Sequence, residues 1–320
     1  LKRFTEEDEA LLATLRPDLV IGDFRITLSI SARRQRLPYA TITNAYWSPA
    51  FAPRFVVPNL PMVKFLGVRL SQRLFDLVRP LAFAYHALPM NALRRHYGMP
   101  SLGPDLRRIY TDADLALFSD LPEVYGMADD LNHGGTFLGP INWSPDIPLP
   151  DWWNELDESQ PIVYVTLGSS GANELLFPLL DGLRQLNAQL VVSSAGGPLP
   201  TLEGQIFCAD YLPGDAATAR ADLVVCNGGS PTSYQALTRG VPVLGIPGNL
   251  DQYLNMHFLE KAGVGLSLRG QNLKPMKVAA AAGKLLGDVG YRSAARQLAK
   301  RAVDYDCRAR LNAALEALLA

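Results

Sequence analysis

The chain predicts an α/β protein built on parallel sheets in two domains. Over residues 160–270, near-continuous apolar runs rich in β-branched residues alternate with amphipathic stretches, the pattern of strands covered by helices on both faces. A strand–helix–strand rhythm also opens the chain. Between the two halves, PINWSPDIPLP at 140–150 carries a proline density that resists helix and sheet alike and reads as a connector. The expected division is 1–145 for a partial N-terminal domain, 146–305 for a C-terminal domain and 306–320 for a closing helix.

In order, the spacing predicts a helix over 5–15, a strand at DLVIG (18–22), a helix at LSISARRQR (28–36) and a strand at YATIT (39–43). Residues 45–62, rich in proline and aromatics, read as a long loop, and such loops are more often functional than accidental. A helix apolar on one face follows over 63–97, then short strands at 115–119 and 136–141. Past the connector come strand IVYVTL (162–167), a helix to about 186, strands QLVVS (189–193), QIFCA (205–209) and DLVVC (222–226), a helix, strand PVLGIP (242–247), a helix from about 251 and strand GVGLSL (263–268). The Ala-rich remainder, 275–320, reads as helical.

Composition narrows the function. With 48 % hydrophobic and 19 % charged residues over 320 positions, the chain is neither disordered nor fibrous. A net charge of -1 argues against a nucleic-acid partner. Between Phe24 and Arg108, however, basic residues recur and Asp76 and Asp105 are the only acids. That excess reads either as solvated arginine faces or as contact with an anionic acceptor or a membrane surface. Cys208, Cys226 and Cys307 show no CxxC spacing and suit a reducing, cytoplasmic setting. No run of 18 apolar residues and no signal pattern is visible. The opening LKRFTEEDEALLATL reads like the middle of a domain, so an upstream segment is expected.

Two glycine pairs compete as the site. CNGGSPTSYQAL (226–237) joins a strand to a helix, so the backbone at Gly228 and Gly229 can approach a ligand, with Ser230, Thr232 and Ser233 adding hydroxyls at a helix start. Such a start favours an anion, and a diphosphate is the natural guest. HGGT (133–136) precedes a strand instead, so it opens no helix and reads as a surface turn. In a doubly wound sheet the turns 168–171, 227–232 and 248–252 would converge on one crevice at the strand ends.

The run from Ala209 to Leu268 resembles the donor-binding signature of the UDP-glycosyltransferase family, two-domain GT-B enzymes whose Rossmann-like domains face a cleft. The signature's order is kept in Asn227-Gly228-Gly229, Gly240-Val241-Pro242, Pro247 and Asp251-Gln252. The resemblance implies that Thr232 binds a phosphate, that Gln235 stands at the ribose-binding position, and that Asp251 and Gln252 bond the sugar hydroxyls. Tyr211, two residues before Pro213, takes the place of the aromatic that stacks on the base, and Ser169 and Ser170 of TLGSSG become donor contacts. Two departures stand out: Asn227 replaces the family's phosphate-contacting His, and its amide can donate but carries no charge; Pro231 replaces a Gly or Asn. GxGxxG is not satisfied at 168–171.

The first half is similar to the family's acceptor domain through PDLVIGDFR and LPYATITN. That similarity makes Asp23 the carboxylate that orients a catalytic His; a strand-end Asp capping the next helix is the alternative. None of His86, His96, His133 and His257 takes the place of that His, which falls in a segment outside this sequence. The family implies a metal-independent, inverting hexosyltransferase that takes a UDP- or TDP-sugar as co-substrate and needs no cofactor. The apolar loop from Tyr46 to Phe55 and the helices after it suggest a hydrophobic acceptor. The rival reading is an inactive sugar-nucleotide-binding homologue or partner subunit.

Overall fold

The computed structural model describes residues 1–320 except 52, 128–133, 169–172, 198–204 and 272, and the side chain of Asn173. The first half comprises α1 (Lys2–Leu15), β1 (Val20–Asp23), α2 (Leu28–Arg34), β2 (Tyr39–Thr43), α3 (Pro61–His96), α4 (Arg107–Tyr110), β3 (Leu115–Phe118) and β4 (Thr136–Phe137). Its four strands lie in the order β1-β2-β3-β4, all parallel. Strand β4 is shorter than its apolar run suggests, because Gly139 turns the backbone to φ 84 and Pro140 follows.

The second half comprises β5 (Ile162–Thr166), α5 (Leu176–Leu183), β6 (Gln189–Ser193), β7 (Ile206–Ala209), α6 (Gly214–Arg220), β8 (Leu223–Cys226), α7 (Ser230–Thr238), β9 (Val243–Gly245), α8 (Leu250–Lys261), β10 (Gly265–Ser267), α9 (Pro275–Gly287), α10 (Val289–Ala302) and α11 (Cys307–Leu319). Six parallel strands run β10-β9-β8-β5-β6-β7. The order reverses between β5 and β8, the switch point at which such sheets open a crevice. Every residue of β5 and of β8 is buried, which is why these segments show no polar alternation.

One face of the second sheet packs Val163, Val225 and Leu244 against Leu179, Leu183, Val278 and Leu285 of α5 and α9. The other face is continuous with the first half: Tyr164, Leu237, Leu254 and Phe258 share a core with Tyr46, Phe51, Phe118 and Phe137. Much of the expected 45–62 loop therefore lies inside the molecule, opened by a 3₁₀ turn at Ala45–Trp47; Tyr46 is fully buried, and Trp47, Phe51 and Phe55 nearly so. Helix α11 returns to the first sheet, where Leu311, Leu315 and Leu318 cover Ala40, Leu117 and Leu138.

Candidate active site

At the switch point β8 ends on Cys226 and the chain turns sharply. Gly228 sits at φ 78, and a Cβ there would lie 2.6 Å from Met256 Cγ, so both conformation and space require glycine. Gly229 N donates to Asn227 Oδ1 at 2.9 Å, fixing the turn from the side chain that stands where the family has His. Helix α7 starts at Ser230 with Pro231, which carries no N–H, in its first turn; Ser230 and Thr232 hold the N–H groups of that turn, and a helix start of this kind favours an anion. Thr232 is half-buried in the same turn. Ser233 points inward, its Oγ accepting from Asn255 Nδ2 at 3.2 Å, and so drops out of the hydroxyl set that the sequence offered.

Opposite this helix start lie the C-terminal ends of β1 and β2. A cavity of about 280 Å³ is lined by Asp23, Asn44 and Ser119 on one side and by Ser230, Pro231 and Tyr234 on the other. Asp23 is exposed, and α2 starts beyond Thr27 with no side-chain cap, so the capping alternative for Asp23 is not met. None of His86, His96 and His257 lines this cavity; His133 lies outside the described residues. Gly134 and Gly135, its neighbours, lead straight into β4, as a strand-opening pair should.

Asn44 ties the two sheets together. Its Nδ2 donates to Ser230 Oγ at 2.9 Å, to Asp120 Oδ1 at 3.0 Å and to Ser119 Oγ at 3.3 Å. Since Ser230 Oγ accepts that bond, its own hydroxyl proton is left to donate into the cavity. Asp120 is wholly buried and its Oδ2 accepts from Ala45 N at 2.6 Å. Burial pushes its carboxyl up to about 6, against the opposing hydrogen bonds from the Ala45 amide, Asn44, Tyr234 and Tyr125.

The remaining predicted residues divide. Asp251 Oδ1 accepts from Trp47 Nε1 at 2.8 Å and from Tyr46 OH at 3.1 Å; burial raises its carboxyl, and these two bonds oppose the rise. Gln252 is buried, and its Oε1 accepts from Gly248 N at 2.8 Å and Asn249 N at 3.4 Å, completing a capping box with Asn249 at the start of α8. Only its Nε2 remains to reach a sugar. Gln235 Nε2 donates to Trp143 O at 2.5 Å, facing a separate cavity of about 380 Å³ that Asp215, Thr218 and Arg239 also line. Tyr211 is exposed beyond β7, with its hydroxyl near Gly196. Ser169 and Ser170 fall outside the described residues.

A larger cavity of about 540 Å³ is lined by Trp47 together with Leu250, Phe75, Phe83, Met90 and Tyr110. Of the loop expected to line such a pocket, Trp47 does so; Phe51 and Phe55 pack into the shared core instead. Sequence reasoning missed Asn44 and Asp120. The signal for Asn44 was a polar residue directly after the YATIT strand; Asp120 stands likewise just past the LALF strand, but its complete burial among Ala45, Asn44, Tyr125 and Tyr234 is not written in the residues beside it. Among the described residues no three His, Cys, Asp or Glu side chains gather as metal ligands would. What the site offers a ligand is amides, hydroxyls and carboxylates.

Paired parallel sheets with their strand ends facing one cleft define the GT-B architecture. Solved structures agree in fold: the spinosyn rhamnosyltransferase SpnG aligns with a TM-score of 0.70 at 18 % identity, covering 98 % of this chain and 79 % of that one. The glycotransferase of kitacinnamycin aligns at 0.69 with 20 % identity, covering 99 % and 80 %. Residues 178–318 match the family model of the erythromycin biosynthesis protein CIII-like C-terminal domain. A PGL/p-HBAD biosynthesis glycosyltransferase of Mycobacterium tuberculosis is 47 % identical over 302 residues, 94 % of this chain and 70 % of that protein. A PGL/p-HBAD biosynthesis rhamnosyltransferase of Mycobacterium bovis is 47 % identical over 301 residues, 93 % and 67 %. The chain belongs to this glycosyltransferase family and is an enzyme of that class. One relative, 46 % identical over 184 residues (57 % of this chain, 50 % of that protein), is named an inactive PGL/p-HBAD biosynthesis glycosyltransferase of Mycobacterium bovis.

Proposed function

We propose that the enzyme moves a sugar from a TDP- or UDP-sugar to a hydroxyl of an apolar acceptor, with inversion at the anomeric carbon. One observation carries this: Asp23 and Ser230, from different sheets, line the same cavity. Trp47 lines the larger apolar cavity and donates to Asp251, which ties that cavity to a predicted donor residue. Asp23 orients the group that takes the acceptor's proton as its oxygen bonds to the anomeric carbon; none of His86, His96 and His257 lines the cavity to be that group. The bond from that carbon to the diphosphate breaks, and the α7 amides with the Ser230 and Thr232 hydroxyls meet the charge that develops on the leaving oxygen. Asp251, held by Tyr46 and Trp47, presents its carboxylate to the sugar hydroxyls.

A TDP-sugar is the first donor to test, because a spinosyn rhamnosyltransferase of the same fold is described in complex with thymidine diphosphate. The rhamnosyltransferase relative makes a rhamnosyl donor the first sugar. Free thiols at Cys208, Cys226 and Cys307 support a reducing, cytoplasmic setting. The test is to supply TDP- and UDP-rhamnose and glucose with apolar alcohols and polar sugars as acceptors, and to determine the anomeric configuration of the product. Transfer to apolar alcohols with inversion is expected. Retention, or use of polar sugars alone, refutes the reading, and nucleotide binding without transfer returns the inactive-homologue alternative.

A further inference from the structure

Helix α3 is apolar on two opposite sides. Phe75, Phe83 and Met90 face the 540 Å³ cavity. Around the other side, Leu70, Leu74, Leu77, Leu81, Tyr85 and Leu88 recur at spacings of three and four, one stripe along a helix. All six are exposed, Leu77 at 75 %, Leu81 at 72 % and Tyr85 at 71 %. Phe65, just before the break in α3 at Gly67, is 86 % exposed. A helix apolar all round is normally covered all round, and a contiguous exposed patch of this kind marks an interaction surface.

Charge decides what covers it. Lys64, Arg69, Arg73 and Arg95 are exposed on the same helix against one exposed acid, Asp76, and that carboxylate accepts from Gln72 Nε2 at 2.8 Å. Arg54, Arg69, Arg73 and Arg269 line a groove of about 510 Å³ in which Asp76 is the only acid among the described residues. Arg269 is anchored there, its Nη2 donating to Val57 O at 2.6 Å. Two copies of the chain paired on this stripe would set basic residues against basic ones. An anionic lipid surface matches both features at once, because a basic amphipathic helix binds by apolar insertion plus attraction to lipid phosphates.

We propose that the outer face of α3 docks on an anionic phospholipid membrane, with the leucine stripe in the acyl boundary and the arginine-lined groove on lipid phosphates. The same helix then separates the bilayer from the apolar cavity, so a membrane-borne acceptor has a short path to the site. The inference fits the apolar-acceptor reading without resting on it, since vesicle binding is measured with neither donor nor acceptor present.

Cosedimentation with vesicles of phosphatidylcholine alone, and of phosphatidylcholine and phosphatidylglycerol in equal parts, tests it. Binding is expected to the mixed vesicles, weakened by salt, and abolished in Leu77→Glu/Leu81→Glu. Arg69→Gln/Arg73→Gln should bind about 30-fold more weakly, at roughly 1 kcal/mol per basic side chain. Thermal unfolding of each variant is the fold control, chosen because it does not depend on donor binding. The proposal is overturned by no vesicle binding, by binding unchanged in both variants, or by a dimer dissolved by Leu77→Glu/Leu81→Glu in a protein that ignores vesicles. Saturable binding of inorganic phosphate without vesicle association would assign the groove to a free anion and equally overturn it.

Discussion

Replacing Asp120 by Asn should change how stability depends on pH, with a sign and size that follow from burial. The carboxyl is completely buried and titrates at about 6 in the folded protein, against about 3.9 in an unfolded chain. The folded state therefore holds this proton more tightly. The stabilisation is fully present below about pH 4 and is lost as pH rises through about 6. The gap of about two pH units is worth about 3 kcal/mol. Asn is neutral throughout and escapes that loss, but it gives up one of the two acceptors that now serve Asn44 and Ala45, a fixed cost of about 1–3 kcal/mol.

The quantity to follow is the stability of Asp120→Asn minus that of the wild type, from urea midpoints across pH, which cancels every other titrating group. This difference should grow by about 3 kcal/mol between about pH 4 and pH 7 and level off above. Parallel curves for the two proteins would refute the reasoning. Because Asn44 stands between Asp120 and Ser230, the donor KM of the wild type should also change with a midpoint near 6, and that dependence should vanish in the variant.

Two further outcomes bear on the site. Asp23→Asn should lower kcat by up to about 10⁴-fold, as loss of a carboxylate that orients a base does, while the donor KM stays put; a kcat within a factor of a few of wild type would remove Asp23 from the chemistry. Gly228→Ala forces a side chain into positive φ and against Met256 Cγ at 2.6 Å; a loss of about 1–3 kcal/mol of stability and of donor binding by calorimetry is expected, and an Ala variant that binds normally would show that the turn is not the diphosphate cradle.

The parallel sheets were legible because buried strands must be apolar along their whole length: IVYVT and LVVC admit few other readings. Gly228 was legible for a similar reason, since a turn with positive φ and a methionine at its back admits only glycine. Gln252 shows the limit. Its place in the Asp251-Gln252 pair could be read from the chain, but not that its Oε1 is given to the turn at Gly248 and Asn249.

By itself, then, the sequence determined the strands and the helix start at Ser230, which depend on neighbours close along the chain. Only the tertiary structure decided that Asn44 reaches Ser230 across 186 positions, that Tyr46 and Trp47 close on Asp251, and that Asp120 loses all contact with water. The physical reason is that these depend on how segments distant along the chain meet. Desolvation and a hydrogen bond between distant residues belong to the assembled interface, and no local pattern of residues encodes them.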